Sequence, residues 1–413
     1  MTVTIDTWDG VKEAFRRKEL RQALYDEGAV VMAGCLLTLH GAEHRSRRRL
    51  ENRLFRREVF RYWEHDVLGP TVGAAMQPFV IAGRGDLLPI GYRTTMNLTA
   101  FIAGVGRPTG TAAETETLYG LVKTFSEGAT AVHSTRPRAE LIAEVSEALD
   151  VFDERFLRPS ITRREKLIAA VATGDLGAAD LPADVLTTLL RNQDDLELPP
   201  DVVRREIAFY LQAGSHSTAN AFTHAVDELF TWGVEHPEDL ERAATDRLFL
   251  QRCAHETMRL NPASPVSWRR PLETVTMSNG TELPEGELIV LDLLSANTST
   301  SLFGDDAASF NPHRKIPDGV APWGQSFGGG VHACIGMELD GGLEHESGSP
   351  LSDHLYGTVA VMVEAFLAAG GRPDPDDPPR LDPGSSRRHF SAYPVVFSPP
   401  ERSGTSTTSG ASS

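Results

Sequence analysis

Cysteine is scarce in this chain: Cys35, Cys253 and Cys334 are the only three in 413 residues. They are too few and too scattered for a disulfide framework, which excludes the small cross-linked secreted folds and fits a reducing compartment. Long apolar runs are also lacking. No stretch reaches the ~20 consecutive apolar residues that a membrane-spanning helix needs. The opening segment, with Asp6 and no basic cluster, does not read as a signal peptide, so the expected location is cytoplasmic. Basic residues are outnumbered 57 to 40, and the net charge of −17 argues against nucleic acid as the main partner. Core material is present in quantity. With 40% hydrophobic and 23% charged residues, the composition is that of a folded globular protein.

Apolar positions at three- and four-residue spacing predict helices over 11–27, 45–66, 87–103, 114–133, 140–157 and 182–192. The longest prediction, 200–232, starts at Pro199-Pro200-Asp201 and is long enough to cross the whole body. A shorter helix over 246–260 stops at Asn261-Pro262. Strands are predicted at 267–270, 274–277 and 288–291, with Asn279-Gly280 as a hairpin turn. Residues 303–334 carry Gly and Pro with little periodicity, and so long an irregular stretch is usually functional. A last helix over 354–369 and a strand at 394–397 follow, and the Ser/Thr/Gly-rich tail 403–413 is expected to be disordered. The expected fold is one mainly α domain over 1–402 with a minor β portion.

Two motifs stand out. In Phe327-Gly328-Gly329-Gly330-Val331-His332-Ala333-Cys334-Ile335-Gly336, four glycines let the backbone wrap one cysteine and present N–H groups to its sulfur, as a shielded soft metal ligand requires. A buried inert cysteine is the bland alternative. Zinc is disfavoured because no second cysteine lies nearby, and a phosphate loop because no Gly-Lys-Ser/Thr follows. The second motif is His255-Glu256-Thr257-Met258-Arg259. It opens like a zincin helix, but Arg259 stands where the second imidazole would be. Glu256 and Arg259 share one helical face, which alone would read as an ordinary ion pair.

Together the motifs resemble the cytochromes P450: Glu256-x-x-Arg259 is followed by Phe-x-x-Gly-x-His-x-Cys-x-Gly, whose cysteine lies 75 residues after the arginine. The resemblance runs from about His44 to Phe397. It implies a triangular helical domain with small β-sheets and a haem b (iron protoporphyrin IX) whose iron takes Cys334 as its axial thiolate. Phe327, Gly328 and Gly336 would shape that loop. Glu256, Arg259 and Arg314 would form the structural Glu-Arg-Arg network. His44, Arg48, Arg269 and His332 would hold the haem propionates, with Arg270 as the alternative to Arg269. On the long helix, Ala213-Gly214-Ser215-His216-Ser217-Thr218 matches the family's oxygen-side segment. There Ala213 and Gly214 would let the helix open. His216 stands where the family has an acid, Ser217 where it has threonine, and Thr218 adds a second hydroxyl to a proton relay.

The same resemblance implies a monooxygenase that puts one atom of O2 into an apolar, mid-sized organic molecule, terpenoid- or polyketide-like. Electrons would come from a ferredoxin or flavodoxin on the proximal face, beside Arg45, Arg47, Arg48, Arg49, Arg53, Arg56, Arg57 and Arg61. The alternatives are oxidative coupling, peroxide-driven oxidation, or a non-catalytic haem-thiolate binding or sensor protein. Pocket segments are expected at 30–39, 209–217 and 263–267, with no charged anchor for substrate. Only 43 residues precede His44, which implies a shortened N-terminal helix and first sheet, and the glycines after Gly336 imply an insertion on the cysteine side.

Overall fold

Thr2–Ile5 forms the first strand (β1) of the computed structural model, which describes residues 2–345 and 348–398. The tail 403–413 and the end of the 1–402 domain lie outside the described residues. The Thr7 side chain then caps helix α1, Trp8–Arg16, by accepting from the Gly10 N–H at 3.3 Å. The predicted helix over 11–27 stops at Arg16, because Leu20–Gln22 (β2) extends to pair antiparallel with Val266–Pro271 (β3). With Leu288–Asp292 (β4), these strands make a four-stranded sheet in the order β1-β4-β3-β2. The first sheet therefore takes two of its strands, β1 and β2, from the N-terminal region. Val11, Ala14 and Phe15 of α1 bury against Leu283, Ile289 and Leu291 in a small separate core.

The predicted helix over 45–66 breaks in two. Helix α2, Gly41–Glu51, ends before Arg57–Tyr62, which runs through a π-turn into Gly69–Ala82. That last helix was not anticipated: Pro70 and Pro78 read as breakers, yet Pro is tolerated in a first turn and here also inside the helix. Helix α3, Leu87–Ala103, is capped by Asp86, whose carboxylate accepts from the Leu88 N–H, and ends at Gly104 with φ 84°. Arg158–Thr173 was also missed, since among its residues only Ser160 is buried and no apolar face marks it. The expected 114–133, 140–157 and 182–192 appear as Ala112–Ala129, Arg138–Phe152 and Val185–Arg191.

Helix α4, Pro200–Gly233, is the spine of the molecule, with Ile207, Leu211, Phe222, Val226 and Leu229 fully buried in the main core. It crosses α3 closely. A Cβ on Gly214 would meet Thr99 Cγ2 at 2.4 Å, and one on Gly91 would meet Phe222 at 3.2 Å. Hydroxyls stitch the crossing: Thr99 Oγ1 lies 2.9 Å from Ser215 Oγ, and Thr95 Oγ1 donates to the Ser215 carbonyl at 3.1 Å.

Helix α5, Arg247–Leu260, packs on α4 and carries the Glu-Arg pair. After the cysteine, helix α6 is only Met337–Gly341, and helical structure resumes as α7, Thr358–Ala368. Between them the chain makes an excursion and returns. A Cβ on Gly357 would sit 2.5 Å from the Gly341 carbonyl carbon, the Leu343 N–H donates to the Leu355 carbonyl at 2.9 Å, and the Glu64 carboxylate accepts from the Tyr356 and Gly357 N–H groups at 2.9 Å each. The glycines after Gly336 that the sequence reading took for an insertion fall in this loop. Near the end of the described chain, Pro394–Phe397 pairs with Arg84–Asp86 and Gly371–Pro373.

Candidate functional site

Cys334 opens into a cavity of about 340 Å³ whose wall also includes Ala213, Gly214, His216 and Ser217 of α4. The loop around it is shaped by its glycines. Gly328 and Gly330 have φ of 67° and 63°, and a Cβ on Gly330 would strike the Phe15 carbonyl oxygen at 2.0 Å. The Cys334 N–H donates to the Phe327 carbonyl at 2.9 Å, and the Phe327 ring stands edge-on to Trp323. A Cβ on Gly336 would meet nothing within 4 Å, because that side faces the open cavity. Burial pushes the Cys334 thiol up to about 11, with a hydrogen bond from the Gly336 backbone acting against it. A thiol so placed becomes a thiolate when a metal replaces its proton.

Four polar side chains converge on the cavity near the loop. The His44 and His332 rings lie 4.3 Å apart, and the Nε2 atom of each is buried without a hydrogen-bond partner. Burial lowers their pKa values to about 4 and about 3. Arg48 donates to the Ala333 carbonyl at 2.8 Å. Arg269 is buried and donates only to neutral groups, namely Gln22 Oε1, Ser267 Oγ and the Trp268 carbonyl. Burial brings its pKa down to about 10, so it stays charged. Arg270, one residue on, points the other way and bonds the Gly286 carbonyl at 2.8 Å. Strand alternation decides between the two in favour of Arg269. Among the described residues none of the four forms an ion pair, so two cations and two partnerless imidazole nitrogens await anionic partners. Two propionates meet that need. The residues fit a haem.

Behind the cysteine loop the Glu-Arg-Arg network is complete. Arg259 grips Glu256 through two bonds of 2.7 and 2.8 Å, and Arg314 Nε adds a third at 2.9 Å. Arg259 also donates to the Asn297 and Ala307 carbonyls, and Arg314 to Asp306 and the Ser309 carbonyl. The fully buried Arg259 thus ties α5 to the irregular segment leading to Cys334. Every guanidinium nitrogen of the two arginines finds an acceptor, the condition under which buried charge is tolerated.

The oxygen-side segment departs from expectation in three ways. Helix α4 is α-helical throughout, and Ser217 Oγ donates to the Ala213 carbonyl at 2.6 Å. The helix is closed there, with no opening at Ala213-Gly214; the glycine admits Thr99 at the α3 crossing. Thr218 does not extend a relay beside Ser217. Its hydroxyl donates to Asp340 Oδ1 at 2.8 Å, tying α4 to the helix after the cysteine, while burial lifts the Asp340 carboxyl to about 6. His216 lines the cavity with its Nε2 buried and partnerless, and Tyr92 O–H meets its Nδ1. Burial drives its pKa well below the usual value, aided by Arg387 and His133, so the ring is neutral. Burial keeps the Tyr92 phenol protonated, and the phenol and Nδ1 share one hydrogen bond while Nε2 has no partner.

The arginine helix is less uniform than its sequence. Arg47 is buried, pairing with Glu206 at 2.7 Å and Glu51 at 3.1 Å, and Arg48 faces the cavity. Arg57 pairs with Glu338 and Arg61 donates to the Asp353 carbonyl. Arg45, Arg49, Arg53 and Arg56 are exposed. Of the expected pocket segments, 36–37, 209–217 and 263–267 contribute to the wall. Sequence reading missed Leu98, Thr99 and Ile102 of α3, and it missed Arg387.

Comparison with known proteins agrees with this arrangement. The Cytochrome P450 family profile matches residues 234–339, which include Glu256, Arg259 and the cysteine loop. A probable cytochrome P450 313a2 of Drosophila melanogaster is 36% identical over 93 residues, 22% of this chain and 19% of its own. Putative cytochrome P450 123 of Mycobacterium tuberculosis is 29% identical over 160 residues, 38% of this chain and 37% of its own. The matched stretches thus span about a fifth to about a third of these relatives. Among solved structures, CalO2 superposes with a TM-score of 0.72 at 16% identity, covering 96% of this chain and 90% of that one. CYP109E1 from Bacillus megaterium, in complex with corticosterone, gives 0.69 at 17%, covering 95% and 92%. The fold is that of these solved structures. The chain is thus similar to the cytochrome P450 family, whose profile matches about a quarter of it, and shares the fold of these solved structures over almost its whole length. Among the described residues no helix is long and apolar enough to cross a membrane.

Proposed function

We propose that the chain is a P450 monooxygenase that holds haem b and oxidises a small, largely apolar molecule. The observation that carries the reading is the cavity wall itself: one cysteine in a glycine-shaped loop, two unpaired arginines and two partnerless histidines beside it, and α4 on the same cavity. Cys334 would ligate the iron, and His44, Arg48, Arg269 and His332 would take the propionates. When bound, the haem supplies dioxygen activation at an iron made electron-rich by the thiolate.

The chain's own residues do the rest. The backbone hydrogen bonds of the loop fix the Cys334 sulfur, and the Glu256–Arg259–Arg314 network holds the segment that delivers it. Phe209, Leu98 and Ile102 supply an apolar wall that excludes water from the substrate. Ser217 keeps its hydroxyl hydrogen on the Ala213 carbonyl, leaving an oxygen lone pair that can accept a proton-bearing group from the cavity. The neutral His216 offers its partnerless Nε2. Arg45, Arg49, Arg53 and Arg56 give an acidic redox protein a basic face near α2, where steering favours a fast, transient encounter.

The reduced carbon monoxide complex tests this reading. The purified protein should carry one haem per chain with the red-shifted Soret band of a thiolate ligand, and Cys334→Ser should lose that band. A Cys334→Ser protein that kept it would refute the ligand assignment.

A further inference from the structure

Two adjacent arginines follow the short strand Arg380–Leu381, and they are treated oppositely. Arg388 points outward and pairs with Asp227 and Glu228, each at 3.1 Å. Arg387 turns inward to the cavity and, among the described residues, has no ion pair. Its Nη1 donates to the Ala263 carbonyl and its Nη2 to Thr130 Oγ1, both at 3.1 Å. Its Nε is buried without any partner. A guanidinium has five N–H donors, so neutral acceptors at two of its three nitrogens leave it undersupplied.

The position is built and held. The Ser386 N–H donates to the His133 carbonyl at 2.8 Å and the Arg387 N–H to Ser385 Oγ at 3.1 Å, which pins the turn to the 130–135 segment. Tyr25, Thr130, Ser264 and His216 stand on the same wall. Among the described residues Asp340 is the one carboxylate lining the cavity, and it is occupied by the Thr218 hydroxyl. Burial brings the Arg387 pKa down to about 10, which leaves it cationic at neutral pH. Keeping an unpaired cation in such a wall is costly unless an anion arrives to share it.

We propose that Arg387 is the anchor for a carboxylate of the substrate, so that the substrate class is an apolar molecule carrying one acid group. The proposal rests on the haem-thiolate reading of the same cavity. The apolar wall takes the body of the molecule, and the guanidinium fork fixes one end and so sets which carbon faces the cysteine side.

Matched pairs test it: decanoic acid, dodecanoic acid and 4-phenylbutyric acid against their primary amides, titrated into the purified holoenzyme by calorimetry with the Soret band followed in parallel. The tightest acid should bind about tenfold or more tightly than its amide, as expected for a charge-assisted hydrogen bond. Arg387→Gln should erase that preference with haem content unchanged, and Arg387→Lys should keep part of it. Three results overturn the proposal: no acid preferred over its amide in the wild type, a preference that survives Arg387→Gln, or haem lost in Arg387→Gln and retained in Arg387→Lys. The last would make Arg387 a propionate partner. The wild-type comparison needs no variant to fold. The carbon monoxide spectrum, taken on the same preparations, judges the thiolate reading separately, because the calorimetric preference for acid over amide does not depend on that band.

Discussion

Gly214 offers a quantitative test of why the long helix carries a glycine beside the cavity. A Cβ there would meet Thr99 Cγ2 at 2.4 Å, a methyl on a helix that is itself packed in the core. Gly214→Ala should therefore suffer overpacking, within the ~1–3 kcal/mol such changes cost and taken here as about 2 kcal/mol. The gain in helix propensity, about 0.9 kcal/mol, offsets part of this, for a net loss near 1 kcal/mol. Thr99→Ser removes the offending methyl and keeps the hydroxyl that meets Ser215, at a cost of about 1 kcal/mol for the hole. In the double variant the new methyl fills that hole, so it should be at least as stable as the wild type, a coupling of about 3 kcal/mol. Urea unfolding of all four proteins at equal haem content measures the cycle. A stable Gly214→Ala, or additive losses in the double variant, would refute the packing account. Turnover adds a second decision. If the double variant regains stability but not rate, the glycine serves an opening of the helix that the closed structure does not display.

Further outcomes follow from the buried charges. Glu206 is raised to about 8 by burial and by the neighbouring Glu51, so the folded protein holds a proton there that the unfolded chain, titrating near 4.5, has lost. That stability is complete below about pH 4.5 and declines as pH rises through about 8, by up to 1.4 kcal/mol per unit; Glu206→Gln should remove this slope in urea unfolding. Arg269→Gln should weaken haem retention by about tenfold or more in a transfer assay to apomyoglobin, while Arg270→Gln should leave it unchanged. Because burial holds His216 neutral, His216→Gln should leave the shape of the pH–rate profile unaltered, and an inflection near the ~6.5 of free imidazole that vanished in the variant would show that the ring titrates.

The elements most legible in the sequence were those where one requirement overrides all others. Glu256, Arg259 and Arg314 announce themselves because buried charges must satisfy one another, and the loop at Phe327–Gly336 because Gly328 and Gly330 take left-handed backbone angles that favour glycine. Helix α4 was read to within a residue from its apolar period. Periodicity failed where it was absent: Gly69–Ala82 is apolar around much of its circumference and Arg158–Thr173 polar around almost all of it. The Arg269–Arg270 ambiguity needed a strand register, since a one-residue slip swaps the two faces. Thr218–Asp340 is a tertiary contact, invisible to either local pattern. Arg387 sits in a Pro-, Gly- and Ser-rich turn where an arginine reads as solvated, and only the return of the chain onto the cavity gives it a role.

The excursion between Gly341 and Thr358 leaves and rejoins the body at one point, with Gly357 against Gly341 and Thr358 Oγ1 bonded to the Leu339 carbonyl at 3.0 Å. Mechanically it is a closed port in the chain. Whatever its length, the strain of changing it is confined to the neck, where Glu64, Gln251 and His255 already hold the two sides with hydrogen bonds. Loop-closure entropy grows only as the logarithm of length, so even a whole domain spliced beyond the neck should cost little. The port opens just past Cys334, on the flank where Arg57 and Arg61 reach Glu338 and Asp353. An electron carrier grafted there would be tethered to this flank at high effective concentration, turning a diffusional encounter into an intramolecular one.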